Sequence, residues 1–232
     1  MRKKKKVLVI DIGGSNVKLM ISSRAKRRKF PSGQKLTPRR FITETKKAVE
    51  DWKFDAIAVG FPAPVKDGKI ALEPKNLGKG WRRIDFRKAF GKPVRIMNDA
   101  AMQALGSYRG GRMLFLGFGT GLGSALLWDQ TVLSLELGDL HYTDDGTLED
   151  KLSDAGLEKL GEKRWQDEVL RVVPALQKAF ITDYMVLGGG NAKCIEKLPN
   201  NVELGHNRNA YLGGARLWET APGSRRPKWN II

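Results

Sequence analysis

The chain contains very little cysteine and histidine, and this scarcity excludes several kinds of site. Its 232 residues include one cysteine, Cys194, and two histidines. An internal disulfide is therefore impossible, and the side chains that most often bind structural zinc are too few. No run of about 18 apolar residues is present, so we expect no membrane-spanning helix. The composition predicts a cytoplasmic protein with no zinc and no membrane partner.

The N-terminal segment lacks the long apolar stretch of a secretory signal. Lysines 3–6 precede an apolar run over residues 7–10, but Asp11 interrupts that run at once. A signal peptide needs a longer apolar region between its basic start and its cleavage site. We therefore expect the first strand of the fold to begin at Val7.

Acidic residues are also scarce near the N-terminus. Residues 1–40 contain fourteen Lys or Arg residues and a single acid, Asp11, and the whole chain carries a formal net charge of +17. Such a charge distribution attracts polyanions, among them nucleic acid, polyphosphate and phosphorylated substrates. A solvated basic segment with no ligand has the same composition, and both interpretations stay open at this stage.

Apolar residues make up 41% of the sequence, which is enough for a sizeable core. Segments typical of strands alternate with segments typical of helices, and this alternation predicts an α/β fold. We expect residues 24–29 and 31–38 to form a connection, a helix to follow Gly190, and the chain from Pro222 onward to be loose. Two glycine-rich strand–turn elements, near residues 11 and 117, suggest two related halves with a cleft between them.

The first glycine-rich element is "DIGGSNVK", residues 11–18. It follows a buried strand and is followed by another, so it predicts a hairpin. Exposed amides of its loop are able to face phosphate groups. Asp11 is a candidate ligand of Mg²⁺ beside those phosphates, and Lys18 adds a positive charge. The candidate loop residues are Gly13, Gly14, Ser15 and Asn16.

The second element is "GFGTGLGSAL", residues 117–126. A dinucleotide fingerprint needs a third glycine where this sequence has Leu122, and a helix where "SALLWD" is typical of a strand. A Walker loop needs Gly-Lys-Ser/Thr, which is absent. The remaining interpretation is a hairpin whose loop, Gly119, Thr120 and Gly121, faces an anion, with a plain tight hairpin as the alternative.

Three further segments carry candidate chemistry. In "MNDAA", Asp99 follows a buried strand and is suited to take a proton from a substrate hydroxyl, although Asn98-Asp99 is also typical of a helix cap. In "LELGDLHY" and just beyond, Glu136, Asp139 and Glu149 are suited to accept hydrogen bonds from sugar hydroxyls, or form a solvated acidic loop. The glycines of "VLGGGNAK" admit a base or sugar against the backbone, or make a tight turn; they are Gly188, Gly189 and Gly190.

Taken together, these motifs resemble those of the ROK sugar kinases, which belong to the actin-like ATPase superfamily. Five motifs occur in the family's order, and the resemblance covers residues 7–218. The chain is most similar to the polyphosphate glucokinase branch, where a Trp-containing helix follows the acidic stretch. The resemblance implies two ribonuclease-H-like domains with the active cleft between them. We expect these at residues 1–99, joined by a C-terminal helix at 209–220, and at 100–208, with a basic tail at 221–232.

The resemblance also implies a reaction and roles for particular residues. The reaction is transfer of a phosphoryl group from polyphosphate, ATP or both to a hexose hydroxyl, first of all the 6-hydroxyl of glucose, with Mg²⁺. Asp99 matches the catalytic base. The residues that match or accompany the sugar site are Asn76, Asn98, Asp99, Glu136, Asp139 and Glu149. Relatives are often dimers, so we expect a homodimer. The first strand is expected to start at Val7, which leaves no room for the N-terminal helix-turn-helix of the family's repressors, so we expect no specific binding of nucleic acid.

One position departs from the family pattern. The family has Glu-x-Gly-His, whereas this chain has Asp139 in place of that histidine and His141 two residues later. A carboxylate accepts hydrogen bonds where an imidazole donates them. Two alternatives to a glucose kinase follow: a kinase for an amino sugar or other non-glucose substrate, or a catalytically inactive relative that binds polyanions or sugars.

Overall fold

Two β-sheets, one from each half of the chain, form the framework of the protein. The computed structural model describes residues 5–22, 27–144, 146–206 and 208–232. The first half contains β1 (Val7–Ile12), β2 (Asn16–Ile21), β3 (Arg27–Pro31), α1 (Pro38–Ala48), β4 (Ala56–Phe61), β5 (Val65–Lys66), β6 (Lys69–Ile70), α2 (Phe86–Phe90), β7 (Val94–Asn98) and α3 (Asp99–Ser107).

The first sheet has the strand order β3-β2-β1-β4-β7. β1, β2 and β3 pair antiparallel, and β1, β4 and β7 pair parallel. β1 and β4 are buried along their whole length, as expected for the continuous apolar runs of a parallel sheet covered on both faces. On one face, Phe41 of α1 packs against the ring of Trp81, with ring centroids 5.5 Å apart.

The second half repeats this plan with additions. Its elements are β8 (Met113–Phe118), β9 (Leu122–Trp128), β10 (Thr131–Leu135), β11 (His141–Thr143), β12 (Gly146–Thr147), α4 (Leu148–Leu152), α5 (Asp154–Leu160), α6 (Glu162–Ala179), β13 (Tyr184–Gly188), β14 (Val202–Leu204), α7 (Asn209–Arg216) and β15 (Asn230–Ile231). The sheet order is β14-β13-β8-β9-β10-β15. β10, β9 and β8 correspond to β3, β2 and β1, and β13 and β14 correspond to β4 and β7.

Helices α3 and α7 lie between the two sheets and pack against each other. A Cβ atom added to Gly106 would come within 1.8 Å of the carbonyl oxygen of Asn209, and one added to Gly213 within 1.8 Å of that of Met102. Only glycine permits so close an approach of two helix backbones. α7 also contacts β1 and β4, while α3 contacts β8, β9 and β10. The two helices thus join the halves into one core.

The structure corrects three expectations about the chain path. Part of the expected connection forms β3; the preceding residues 23–26 lie outside the described ranges. The expected helix after Gly190 is a single 3-10 turn, Asn191–Cys194. The tail is not loose throughout, because β15 pairs with β10 and Trp229 is buried against Tyr108, with ring centroids 5.8 Å apart. For the tail, tertiary packing overrode the local sequence signal.

The described residues contain no helix that is both long and apolar enough to cross a membrane.

Candidate active site

A cavity of about 390 Å³ lies where the two glycine-rich hairpins meet. We call it the catalytic cleft. Fifteen of the eighteen residues singled out from the sequence line it, drawn from both halves of the chain. They are Asp11, Gly13, Gly14, Lys18, Asn76, Asn98, Asp99, Gly119, Thr120, Gly121, Glu136, Asp139, Glu149, Gly189 and Gly190.

Three of the predicted residues do not line the cleft. Gly188 is buried within β13, where an added Cβ atom would come within 2.6 Å of Cζ of Phe115. Ser15 is exposed at the tip of the first hairpin, and its carbonyl accepts a hydrogen bond from the N–H of Ser32 at 3.0 Å. Asn16 is the first residue of β2. The glycine requirement at Gly188 is therefore one of packing.

The first glycine loop, residues 13–16, is held by its own backbone and by β3. The N–H of Gly13 donates to the carbonyl of Asn16 at 3.0 Å. The hydroxyl of Ser32 donates to the carbonyl of Gly13. The amide of Gly13 is thus engaged within the loop, contrary to the expectation that it faces a phosphate.

The second glycine loop, residues 119–121, lies directly against the first. A Cβ atom added to Gly14 would come within 3.1 Å of Oγ1 of Thr120. The N–H of Gly119 donates to the carbonyl of Gly121 at 3.2 Å, and the carbonyl of Gly119 accepts from the N–H of Asp154 at 2.7 Å. Helix α5 therefore fixes this loop, and the hydroxyl of Thr120 is presented at the junction of the two halves.

Asp11 and Lys18 stand opposite each other on β1 and β2. Nζ of Lys18 lies 3.5 Å from Oδ2 of Asp11, whose side chain is buried. Burial raises the pKa of Asp11, and the neighbouring ammonium of Lys18 opposes that shift. The pair places one buried carboxylate and one accessible cation beside the first glycine loop.

Asp99 lies at the start of α3, and this position determines its chemistry. Asn98 is the N-cap of the helix, its Oδ1 accepting the N–H of Ala101 at 3.0 Å, so the cap interpretation is correct for Asn98. Burial, followed by the nearby carboxylate of Asp11, raises the pKa of Asp99 to about 7. A carboxyl group that titrates near neutral pH is suited to general base catalysis.

The carboxylate cluster, Glu136, Asp139 and Glu149, comes entirely from the second half. Oε2 of Glu149 accepts the N–H of Leu122 at 3.0 Å. Burial, and then the adjacent carboxylate of Asp139, raise the pKa of Glu136. A 3-10 turn with its N-cap and the first turn of α4 thus supply three acids that are up to thirteen positions apart in the sequence.

Sequence reasoning missed Lys75, which contacts this cluster. Its Nζ lies 3.3 Å from Oδ1 of Asp139 and 3.4 Å from Oε1 of Glu149. Burial lowers the pKa of Lys75, but the carboxylates of Glu149 and Asp139 outweigh it and raise the pKa above its ordinary value. The only signal was adjacency to Asn76, in a chain with 42 Lys and Arg residues.

Gln103 was missed as well, although helical spacing points to it. It lies four positions after Asp99 on α3 and lines the catalytic cleft. Residues four apart on a helix share one face. Once Asp99 is placed in the cleft, Gln103 follows.

A larger groove, of about 1170 Å³, runs along β7 and the C-terminal strand. Its lining includes Arg82, Arg87 and Arg95 but none of the eighteen predicted site residues. We assign the chemistry to the smaller catalytic cleft, because Asp11, Asp99 and both glycine loops are there.

Among the described residues, no group of three or more His, Cys, Asp or Glu side chains is arranged to hold a metal ion. Mg²⁺ in phosphoryl-transfer sites, however, is usually held by one or two carboxylates together with the phosphates of the substrate. The buried carboxylate of Asp11, beside the two glycine loops, fits that smaller requirement.

The family of this protein is decided by a match over more than half of its length. The model of the ROK family matches residues 7–138, a range that contains Asp11, Asp99, Thr120 and Glu136. The chain belongs to the ROK family. The order of the motifs in the sequence had predicted this membership, and the match confirms it.

Similar proteins extend the match to most of the chain. A polyphosphate glucokinase of Mycobacterium tuberculosis (strain ATCC 25177 / H37Ra) is 27% identical over 232 residues, covering 89% of this chain and 84% of that protein. An inorganic polyphosphate/ATP-glucomannokinase from Arthrobacter sp. strain KM has a similar structure, with a TM-score of 0.78, 24% identity, and coverage of 91% of this chain and 97% of the other.

A third similar protein is a ROK family glucokinase from Streptomyces griseus, whose structure was solved in complex with glucose and AMPPNP. Its TM-score is 0.74 at 16% identity, over 91% of this chain and 98% of the other. These structures confirm the predicted α/β fold of two ribonuclease-H-like domains with a cleft between them. The predicted enzyme class, a phosphotransferase with an alcohol group as acceptor, is confirmed by the relatives as well.

Proposed function

We propose that this ROK protein is a sugar kinase that transfers a phosphoryl group from polyphosphate, ATP or both to a hexose hydroxyl, with the 6-hydroxyl of glucose as the leading acceptor. One observation carries the proposal. Asp99, a partly buried acid whose pKa is raised to about 7, lies in a cleft that has phosphate-type glycine loops from both halves and a cluster of carboxylates. The names of the relatives, which include glucokinases and a glucomannokinase, support a hexose as substrate.

The acceptor half of the reaction uses the acids and amides of the cleft. Asp99 accepts the proton of the sugar hydroxyl as its oxygen attacks the terminal phosphorus, and the bond from phosphorus to the leaving oxygen breaks. The sugar's other hydroxyls are held by side chains that accept or donate hydrogen bonds. We assign this role to Asn76, Asn98, Glu136, Asp139 and Glu149.

The donor half uses the glycine loops. Gly13 and Gly119 supply close backbone approach rather than free amides, so phosphate contacts are assigned to Gly14, Thr120 and Gly121, with the ammonium of Lys18. Gly189 and Gly190 line the same cleft. Mg²⁺, held by Asp11 and the donor's phosphates, would neutralise charge on those phosphates.

Two features support polyphosphate as a donor. The net charge of +17 favours a polyanion, and the similar proteins from Mycobacterium and Arthrobacter are named as polyphosphate-using kinases. The second of these is also named for ATP, so both donors are proposed.

The homodimer and the domain boundary at residue 99 stay predictions. Sedimentation velocity tests the homodimer, and limited proteolysis tests the domain boundary.

The test is a phosphorylation assay with Mg²⁺ that crosses ATP and polyphosphate with glucose, mannose and glucosamine. Turnover with at least one pair, lost in Asp99→Asn, is the expected result. Absence of turnover throughout, together with tight and salt-sensitive binding of polyphosphate, would favour the catalytically inactive alternative instead.

A further inference from the structure

Lys75 is distinctive because it joins the two halves of the molecule through ion pairs across the catalytic cleft. Within the described residues, the other ion pairs each lie within one half or its C-terminal tail. Lys75 belongs to the first half, whereas its partners Asp139 and Glu149 belong to the second. All three residues line the cleft where the sugar is proposed to bind.

The backbone that carries Lys75 is anchored on both sides. Its carbonyl accepts Nε2 of Gln34 at 2.9 Å. The carboxylate of Glu73, two positions earlier, accepts the N–H groups of residues 80–82 at 3.0 to 3.2 Å. Three positions later, the N–H of Gly78 donates to Leu36 at 3.1 Å. These contacts hold the backbone of Lys75 at the edge of the cleft, from which its side chain reaches Asp139 and Glu149.

The carboxylate of Glu149 and the backbone of Asp139 are anchored as well. The N–H of Leu122 holds one oxygen of Glu149, which leaves Oε1 facing Lys75. Asp139 ends a 3-10 turn, Leu137–Asp139, and its N–H donates to the carbonyl of Glu136 at 3.1 Å. The ammonium of Lys75 thus lies between two acids, one of which, Glu149, is anchored through its carboxylate.

This arrangement changes the meaning of Asp139. An unpaired carboxylate at this position would attract the ammonium group of an amino sugar. Here the protein's own ammonium already occupies that place, so a cationic sugar must displace Lys75 or lie beside a like charge. A neutral hydroxyl meets neither obstacle, since it accepts from Nζ and donates to a carboxylate.

We propose that Lys75 sets the acceptor specificity of the cleft: by occupying Asp139 and Glu149, it selects a neutral hexose over an amino sugar. The proposal rests on the proposed function in that it assumes a sugar in this cleft. The side chain of Lys75 is 71% exposed without a ligand, and such pairs are weak while water screens them. A bound sugar displaces that water, and the electrostatic interactions of the Lys75 ammonium then become stronger.

The main test is Lys75→Met, which keeps the length of the side chain and removes its charge. We expect KM for glucose to rise about fivefold, because one hydrogen bond to a hydroxyl is lost, with kcat changed less. The ratio of kcat/KM for glucosamine to that for glucose should rise about tenfold at about pH 6.5, where the sugar amine is protonated. Lys79→Met, a change to an exposed lysine of the same loop that does not line the cleft, is the matched control.

Two further variants separate specificity from structure. Lys75→Arg keeps the charge and should keep the preference for glucose. Lys75→Met combined with Asp139→Asn removes one of the two carboxylates as well as the lysine, so the glucosamine ratio should lie below that of Lys75→Met alone while Glu149 keeps part of the attraction. A purely structural role for Lys75 would lower thermal stability in Lys75→Met without moving the ratio, and that result would overturn the proposal.

Binding measured by calorimetry without a donor distinguishes this proposal from the proposed function. If the unaltered protein binds glucose but transfers no phosphoryl group, a glucosamine-to-glucose affinity ratio that rises in Lys75→Met still supports the role of Lys75 while the kinase proposal fails. If turnover occurs but the ratio is unchanged, the role of Lys75 is wrong and the kinase proposal stands. If neither sugar binds, both proposals are wrong.

Discussion

The two halves of the molecule share a strand order but differ at matching positions of their glycine hairpins. In the first hairpin Asp11 pairs with Lys18, and in the second Gly117 pairs with Gly123. The same backbone arrangement thus carries an acid and a cation in one half and no side chain in the other. The same hairpin backbone therefore presents charged side chains in the first sheet and only backbone in the second.

The reason that the second hairpin has a glycine at position 123 lies in helix α3, which starts directly against it. A Cβ atom added to Gly123 would come within 2.6 Å of Cβ of Ala100, the residue next to Asp99. The second hairpin therefore omits its side chain so that the start of α3 can approach. The first half therefore supplies the base, while the second half supplies the surface against which that base is placed.

The largest expected effect comes from removing the base that the first half supplies. Asp99→Asn should lower kcat by about 10²- to 10⁴-fold, because an amide cannot accept the proton of the sugar hydroxyl. Steady-state rates with the best donor and sugar measure this loss. An unchanged rate would show that the base lies elsewhere.

The same variant has a stability signature that serves as its control. The pKa of Asp99 is raised to about 7 in the folded protein and is about 4 when unfolded. Ionisation of Asp99 therefore costs stability progressively between about pH 4 and pH 7, and the cost is constant above that range. The amide in the variant Asp99→Asn does not ionise, so the variant does not lose this stability. The melting temperature of the variant minus that of the unaltered protein should therefore increase as pH rises through this window.

The second prediction concerns the pH dependence of the reaction. Protonated Asp99 is not a base, so kcat/KM should fall about tenfold per pH unit below about pH 7. A pH–rate profile measured separately with ATP and with polyphosphate locates this limb, because a limb that belongs to Asp99 appears at the same pH with both donors. A limb near pH 4 would mean that burial and Asp11 do not raise the pKa in the working enzyme.

The third prediction concerns a side chain added to the second hairpin at Gly123. Gly123→Ala should cost about 1–3 kcal/mol of stability, because its methyl group forces the start of α3 away from the second sheet. It should lower kcat too, since Asp99 moves with Ala100. Gly119→Ala is the control for stability, because an added Cβ atom there has no neighbour within 4 Å. Equal unfolding midpoints for the two variants would contradict this account.

The smallest effect should follow from removing the cation of the first hairpin, since the second hairpin has no cation at the matching position. Lys18→Met removes a half-exposed cation, so stability should change by less than about 1 kcal/mol. If polyphosphate lies against the first glycine loop, its affinity should weaken and the slope of log affinity against log salt should shrink by about one. Binding titrations at several salt concentrations measure the affinity and the slope. An unchanged slope would mean that bound polyphosphate does not contact Lys18.

Much of the fold could be predicted from the sequence because the signals were local. The apolar runs of β1 and β4 indicate buried strands, and Thr37-Pro38 marks the start of α1, whose N-cap is Thr37. β3 could not be predicted, because its exposed basic residues pair with β2 only through the backbone. The docked tail was missed because two residues gain their strand only from β10.

For the candidate site, the sequence by itself determined the chemical types: two glycine loops, a carboxylate after a buried strand, and acids in one later segment. These are visible because they depend on a residue and its immediate neighbours. Only the tertiary structure decided the rest. It removed Gly188 and the amides of Gly13 and Gly119 from the set of ligand contacts, and it paired Asp139 with Lys75 across the cleft. Contacts between residues 64 positions apart depend on how two sheets pack, and no local pattern encodes that distance.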